Sequence, residues 1–372
     1  MQIKMILTNA FDPDPRVYKE AKALISSGHD VEILCWDRDN RYFDRQAEVY
    51  SGIKIKRFYP KSAYGSGLKQ MYSYWLFIRE IKRYLKNGKY DVVHAHDIDG
   101  AFAATFVKGN AKLLWDMHEV YDGFNYGVLK STIYEMIAKR CFRKSDGLIY
   151  VSNSQKERYK FKKKEGTSSV VIMNAPEETV FSKMDKIPSE KLRISFIGSV
   201  REYAVLKRLM DAGEKFSDVI INLNGMGVAY KELKNLEHKY SNTNVTGQFQ
   251  YKDIGKYYQN TDIIYAVYDS EQLNSKDAFP VKGLEAIATQ TPIIASENTL
   301  FGKFVNDNGI GFTIDEKSDQ DIESLLKSLL FNKHLITEKK ENISKIKDDF
   351  KWSEQVEKLI GFYIKVTSKE IG

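Results

Sequence analysis

The chain has 372 residues, a formal charge of +7, 42% hydrophobic and 29% charged residues, and two cysteines. Its length exceeds the roughly 250–300 residues over which a single core keeps growing, so two domains are expected. Cys35 and Cys141 are each alone in their neighbourhood, which argues against a disulfide framework or a cysteine-rich zinc site and points to a reducing cytoplasm. No apolar run approaches the ~18 residues of a membrane span. The opening MQIKMILTNAFD is broken by Asp12 and Pro13, short of a secretory signal.

Strand-length apolar runs alternate with helical patterns. Strands are expected at Gln2–Leu7, Val31–Cys35, Ile53–Phe58, Val92–His96, Lys112–Met117, Gly147–Val151 and Val170–Met173. The clearest helix is Arg16–Ser27, with Val17, Ala21, Leu24 and Ile25 on one face, started by Asp14-Pro15 and stopped by Gly28. Charge is uneven: residues 54–89 hold ten basic residues and one acid, Glu80. Within that stretch, 68–86 has apolar positions Met71, Tyr74, Trp75, Ile78, Ile81 and Leu85 flanked by Lys69, Arg79, Lys82, Arg83 and Lys86. Such a helix either rests on an anionic lipid surface or packs on a core with its lysines solvated.

Asn174–Leu192 has no sustained period and reads as a linker. A second series follows: strand Arg193–Ile197, helix Ala204–Lys215, strand Val219–Leu223, helix Ala229–Tyr240, strand Asp262–Val267, helix Val281–Thr289 and strand Pro292–Ala295. The tail Trp352–Thr367 is amphipathic. Repeated β-α units imply parallel sheets with helices on both faces. Ligands then bind at the carboxyl ends of the strands, and two such domains facing one another leave a cleft.

Among the loops after strands, Asp269–Ser296 carries the most chemistry. Phe279-Pro280 opens a helix, and a helix N-terminus suits phosphate or sugar hydroxyls. Lys282 and Glu285 lie three apart on one side, placing a diphosphate partner beside a carboxylate suited to a vicinal diol. An ordinary surface Lys-Glu pair would read the same way.

This segment resembles the donor-binding signature of family-4 retaining glycosyltransferases with the GT-B fold. Pro280-Val281-Lys282-Gly283-Leu284-Glu285 is similar to the P-x-K-x-x-E variant. Glu285 falls on the family's ribose-binding glutamate and Asp277 on its first, sugar-contacting glutamate. Backbone groups of Phe279–Val281 would face the sugar. Asp14–Ala21 with Gly28-His29, DVVHAHD at 91–97, WDMHE at 115–119, NGMGVAYKEL at 224–233 and the terminal helix resemble further family segments, in order along nearly the whole chain.

The resemblance implies two Rossmann-like α/β domains facing across a cleft: an acceptor-side domain over 1–184, a donor domain over 185–350, and a helix over 351–372 returning to the first. It implies transfer of a hexosyl-type sugar from a nucleotide diphosphate to an acceptor hydroxyl with retention, with no metal or other cofactor required. Arg201, then Lys207, would neutralise the diphosphate, and His118 would sit beside the donor sugar. Phe249 and Tyr251 lie in the loop that touches the base. That loop holds no acid before Asp253 to satisfy guanine donors, which favours UDP. Arg16, His96 and Asp97 fall on the acceptor side.

His94 and His96, two apart on one strand face, are a metal-like pair for which the sequence offers no evident third ligand. Asp37-Arg38-Asp39 and Asp97-Ile98-Asp99 match the D-x-D pattern of a different glycosyltransferase fold. Gly225-Met226-Gly227 lacks the third glycine of a dinucleotide fingerprint, and no nucleic-acid-binding module is present. The expected acceptor is a glycan or lipid-linked glycan of cell-surface polysaccharide or glycoconjugate synthesis, met in the cytoplasm at the inner membrane face. The alternatives are a catalytically silent GT-B binding subunit and a nucleotide-sugar epimerase.

Overall fold

A computed structural model of the chain describes residues 1–12, 14–62, 68–119, 128–181 and 184–368. The chain divides into two compact units, Met1–Met173 with Val356–Gly372, and Asn174–Gln355.

The first unit is built on an eight-stranded sheet: β1 (Gln2–Leu7), β2 (Asp30–Trp36), β3 (Ala47–Tyr50), β4 (Ile53–Phe58), β5 (Val92–His96), β6 (Lys112–Met117), β7 (Gly147–Tyr150) and β8 (Ser168–Val171). Their order is β3-β4-β2-β1-β5-β6-β7-β8. Only β3 runs antiparallel, joined to β4 through Ser51 and Gly52. Both turn residues have positive φ (51° and 84°), as a two-residue hairpin turn matching strand twist requires. Helices α1 (Pro15–Ser26), α2 (Leu68–Leu85), α3 (Asp97–Val107) and α4 (Val128–Lys144) connect the strands.

Asp14 caps α1 by accepting from the amides of Arg16 and Val17, and Pro15 fills the first helical position. The helix ends as the sequence predicts. Gly28 takes φ 80°, and the His29 amide reaches back to the Leu24 carbonyl.

The second unit is a six-stranded parallel sheet of β9 (Leu192–Ile197), β10 (Val219–Asn224), β11 (Thr243–Thr246), β12 (Ile263–Ala266), β13 (Ile293–Ser296) and β14 (Gly311–Ile314), ordered β11-β10-β9-β12-β13-β14. The central strands β9, β12 and β13 are buried along nearly their full length because helices cover both faces. In the first sheet the strand order reverses direction between β1 and β5, and in the second between β9 and β12. Those switch points leave a crevice at the carboxyl ends of the strands.

The segment Asn174–Leu192, read from sequence as a linker, groups with the second unit up to β9. The Lys186 ammonium anchors it by donating to the Tyr258 and Thr261 carbonyls and the Thr291 hydroxyl, at 2.7–2.8 Å. At the other end, the C-terminal helix Trp352–Thr367 changes allegiance after Gln355. From Val356 onward it completes the first unit. Its Phe362 ring lies where a side chain on Gly147 of β7 would go, and its Tyr363 reaches His94.

Candidate active site

In the second unit, Lys282 and Glu285 gather near the ends of β9 and β12. Gly198, with φ 130°, terminates β9, and its missing side chain leaves room for Lys282. A Cβ there would stand 3.9 Å from the Lys282 ammonium. Lys282 itself is buried, its Nζ 3.0 Å from the centre of the Phe196 ring and 5.0 Å from that of Tyr268. Burial pulls its pKa well below the ordinary lysine value, with Glu285 and Glu202 opposing the shift.

Lys282 and Glu285 share the buried side of helix Val281–Ala288. The Glu285 carboxylate accepts a hydrogen bond from the Tyr258 hydroxyl at 3.1 Å, and the Tyr251 hydroxyl bonds to it as well. Burial, then the Glu285 charge, holds both phenols above their usual range. The carboxylate is thus fixed in orientation while retaining acceptor capacity for a diol. Pro280 stands at the helix N-cap in extended conformation, without a side-chain cap bond. The first amides of the helix therefore keep the positive dipole end that suits a phosphate.

The loop after β9 is shaped by the glycines after β10. A side chain on Gly225 would strike the Gly198 carbonyl at 1.9 Å, and one on Gly227 the Val200 carbonyl at 2.0 Å. The amides of Gly198 and Val200 bond to the carbonyls of Asn224 and Met226. The two loops therefore run side by side in contact, which is what Gly-x-Gly supplies here. On the far side, Glu202 accepts from the Asp269 amide and Glu316 from the amide and hydroxyl of Ser270, fixing the loop after β12.

The remaining donor-side candidates scatter. Arg201 is exposed near Lys282, donating to the Ser199 hydroxyl at 2.9 Å. Lys207 does not join the group: its ammonium is bound by Asp211, one helical turn on, at 2.6 Å. Phe279 packs its ring against Phe301 and Phe304 at 4.9 and 4.8 Å, so only its backbone is left for a ligand. Val281 is exposed, Asp277 is half-buried in the bend before Phe279, and Phe249 packs on Tyr257 at 4.6 Å. Tyr251 turns its hydroxyl to Glu285, which couples the base-side loop to the ribose anchor.

In the first unit, α1, β5, β6 and the C-terminal helix converge on a buried polar network. Arg16 forks onto Asp116 with contacts of 2.7 and 2.8 Å, donates to the Ile172 carbonyl, and lies 3.1 Å from Glu20. Arg16 is therefore enclosed rather than exposed to an acceptor; it holds Asp116 in place. Asp116 in turn lies 3.0 Å from His118 Nε2. Asp97 lies 3.4 Å from His118 Nδ1. Burial opposes a charge on His118, but Asp97 and then Asp116 outweigh it and raise the imidazole to about 10. His118 is thus an imidazolium, a hydrogen-bond donor and not a base.

Asp97, the half-exposed member of this group, adopts φ 59° where β5 turns into α3, a region costly for a residue with a side chain. His96 is fully buried and stacks with His94 at 4.4 Å between ring centres.

Sequence reasoning missed Glu20, Asp116, Tyr258 and Tyr363. Glu20 and Asp116 lie inside recognisable segments, but only the strand order 1-5-6 brings them together. Nothing local distinguishes Tyr258 or Tyr363.

Two largely parallel α/β units, each with polar groups at a topological switch point, are the architecture typical of the GT-B class. Residues 16–174 match the family model described as Glycosyltransferase Family 4, and residues 178–348 that described as Glycosyl transferases group 1. The chain belongs to the family-4 glycosyltransferases. No curated protein matches it. Among solved structures it is similar to the sucrose-phosphate synthase of Thermosynechococcus elongatus, at TM-score 0.78 and 14% identity over 99% of each chain. It is also similar to Anabaena HepE in complex with UDP, at TM-score 0.74 and 11% identity over 98% of this chain and 100% of that one. A UDP-N-acetylglucosamine 2-epimerase aligns at TM-score 0.60 and 12% identity over 92% of this chain and 90% of that one. At these identities the likeness is one of fold.

Proposed function

We propose that the chain is a retaining hexosyltransferase that moves a sugar from a UDP-sugar to a hydroxyl of a glycan or lipid-linked glycan. The observation that carries this reading is the pairing, on one helix, of a ribose-type carboxylate held by two phenols with an ammonium beside the glycine that ends β9. Breaking the anomeric bond places negative charge on the departing diphosphate. Lys282, Arg201 and the amides at the start of helix Val281–Ala288 supply positive charge there, so the transfer step calls on no metal. Asp277 and the backbone of Phe279–Val281 are assigned to the sugar hydroxyls. His118, held by Asp116 and Asp97, is assigned to a sugar hydroxyl; Asp97 is assigned to the acceptor side, and the fully buried His96 acts only by backing His118.

The lean to UDP is supported by HepE having been crystallised with that nucleotide. The epimerase likeness means fold alone does not separate transfer from epimerisation. The reading is tested by calorimetry with UDP and GDP, followed by a UDP-sugar screen with glycan acceptors. UDP binding in the micromolar range with sugar transfer is the expected result. Tighter GDP binding reverses the base assignment, free epimerised sugar in the absence of acceptor favours the epimerase, and donor binding without turnover on any acceptor favours a silent subunit.

A membrane-side acceptor is supported by α2. Ile78, Ile81 and Leu85 are buried in the core, whereas Met71, Tyr72 and Trp75 are exposed beside Lys69 and Arg79. On α4, Ile133 and Met136 are exposed as well. Among the described residues no helix is long and apolar enough to cross a membrane. Peripheral attachment to an anionic leaflet at the cytoplasmic face follows as part of the proposal.

A further inference from the structure

The buried network of the first unit leaves one carboxyl group with no hydrogen bond among the described residues. Arg16 and Asp116 neutralise one another through their two-point contact. His118 is balanced by Asp97. Glu20 remains, fully buried, touching Arg16 with one oxygen at 3.1 Å and making no hydrogen bond with either. A buried carboxyl in that condition either keeps its proton or recruits a further cation.

The groups facing Glu20 are two imidazoles. His94 and His96 alternate with Ala95 on β5, so both rings lie on one face of the sheet, and both are fully buried. Each ring has its Nδ1 engaged: that of His94 with the Tyr363 hydroxyl at 2.8 Å, that of His96 with His118 Nε2 at 3.2 Å and Asp116 at 3.3 Å, the His118 proton going to Asp116 at 3.0 Å when His96 donates. When these oxygens take the Nδ1 proton, each Nε2 is left with an in-plane lone pair. Neither Nε2 makes a hydrogen bond among the described residues. This is the arrangement by which metal-bound histidines are oriented, with the ring's other nitrogen held by a carboxylate or hydroxyl. Glu20 Oε2 lies 3.6 Å from His94 Nε2, a separation suited to two ligands of one ion with bonds of about 2.0–2.2 Å. Glu20, His94, His96 and Asp116 each offer a ligand atom, all within 4.8 Å of one another.

We infer that Glu20, His94 and His96, with Asp116 alongside, form a buried binding site for a divalent transition-metal ion, zinc being favoured by the two-imidazole, carboxylate donor set. The site shares His96 and Asp116 with the surroundings of His118, and its test reads bound metal rather than sugar transfer. The ion would tie α1 to the centre of the sheet and, through His94 and Tyr363, to the C-terminal helix. Because the ligands are sealed from solvent, loading belongs to folding.

The test is to produce the full chain in medium supplemented with zinc or with cobalt, pass it over a chelating resin, and measure metal by elemental analysis and visible spectroscopy. The expected result is about one ion per chain, with the intense visible bands of four-coordinate cobalt(II), as a tetrahedral site predicts. Glu20→Gln keeps the side chain's shape, removes the charge and is expected to carry less than about a tenth of the metal. Tyr363→Phe, which removes only the group orienting His94, is expected to weaken retention about 10- to 100-fold in competition with a chelator. A folded wild-type chain without metal from either medium, or Glu20→Gln retaining as much as wild type, overturns the site; a proton on Glu20 then satisfies the network.

Discussion

Lys282 holds its ammonium 3.0 Å from the centre of the Phe196 ring, on the side where Gly198 leaves β9. The cation is kept dry and ready, with an aromatic face beneath it. Because burial lowers its pKa, the free protein gives up this proton at a lower pH than an ordinary lysine does. An arriving diphosphate raises that pKa, so the proton is taken up on binding, and donor affinity declines as pH rises through the bound-state value. In calorimetry at about pH 7 to 9, the measured enthalpy of UDP binding should vary with the ionisation heat of the buffer. Lys282→Met should abolish the variation. A buffer-independent enthalpy in the wild type would count against a neutral Lys282.

Glu285 provides a second measurement. Replacing it with alanine removes a charge-assisted bond worth about 1.5–3 kcal/mol, so UDP affinity should fall about 10- to 100-fold. Tyr258→Phe leaves the carboxylate in place without one of its two phenol partners and should cost only about two- to tenfold. Wild-type affinity in Glu285→Ala would move the ribose anchor elsewhere.

Gly225→Ala places a methyl 1.9 Å from the Gly198 carbonyl at φ 135°. The β10 loop and the β9 loop cannot both stay where they are. The expected result is a loss of about 1–3 kcal/mol, read as a lowered Tm of the second unit's transition, together with weaker UDP binding. Gly166→Ala, at a positive-φ glycine with open space around it, controls for backbone strain and should leave UDP binding unchanged.

The exposed part of α2 makes a prediction about vesicles. Binding to anionic vesicles should exceed binding to neutral ones, and Lys69→Ala with Arg79→Ala should weaken it about fivefold per charge, at ~1 kcal/mol each. Tyr72→Ser with Trp75→Ser should reduce the salt-resistant remainder. Co-sedimentation that ignores anionic lipid content would remove the electrostatic basis of the lipid-linked acceptor.

Much of the fold was legible because buried parallel strands read as short apolar runs and helices as a 3.6-residue period. The strands that escaped, β3, β11 and β14, are four-residue edge strands with polar or small residues, such as Thr-Asn-Val-Thr in β11. The linker reading of Asn174–Leu192 failed for a different reason. Irregular chain looks unattached from composition, and the three oxygens that hold Lys186 come from residues more than seventy positions away.

In the site, the Lys282–Glu285 pair was readable because helical spacing fixes which residues share a side. Lys207, expected after Arg201 at the diphosphate, is bound by Asp211 instead. Asp211 four residues on already marked Lys207 for a helix-surface ion pair, and only the depth of the helix after β12 shows Lys282 reaching Gly198. The carboxylates around His94 and His96 come from α1 and β6, and no local pattern announces them.

The hydroxyl that meets His94 belongs to Tyr363, 269 positions further along the chain. On the ribosome, β1 to β8 emerge long before the helix that finishes their layer, with the whole of the second unit synthesised in between. The Asn174–Gln355 unit can complete its fold on the nascent chain, whereas the first unit must wait for Val356–Thr367 before its layer is finished.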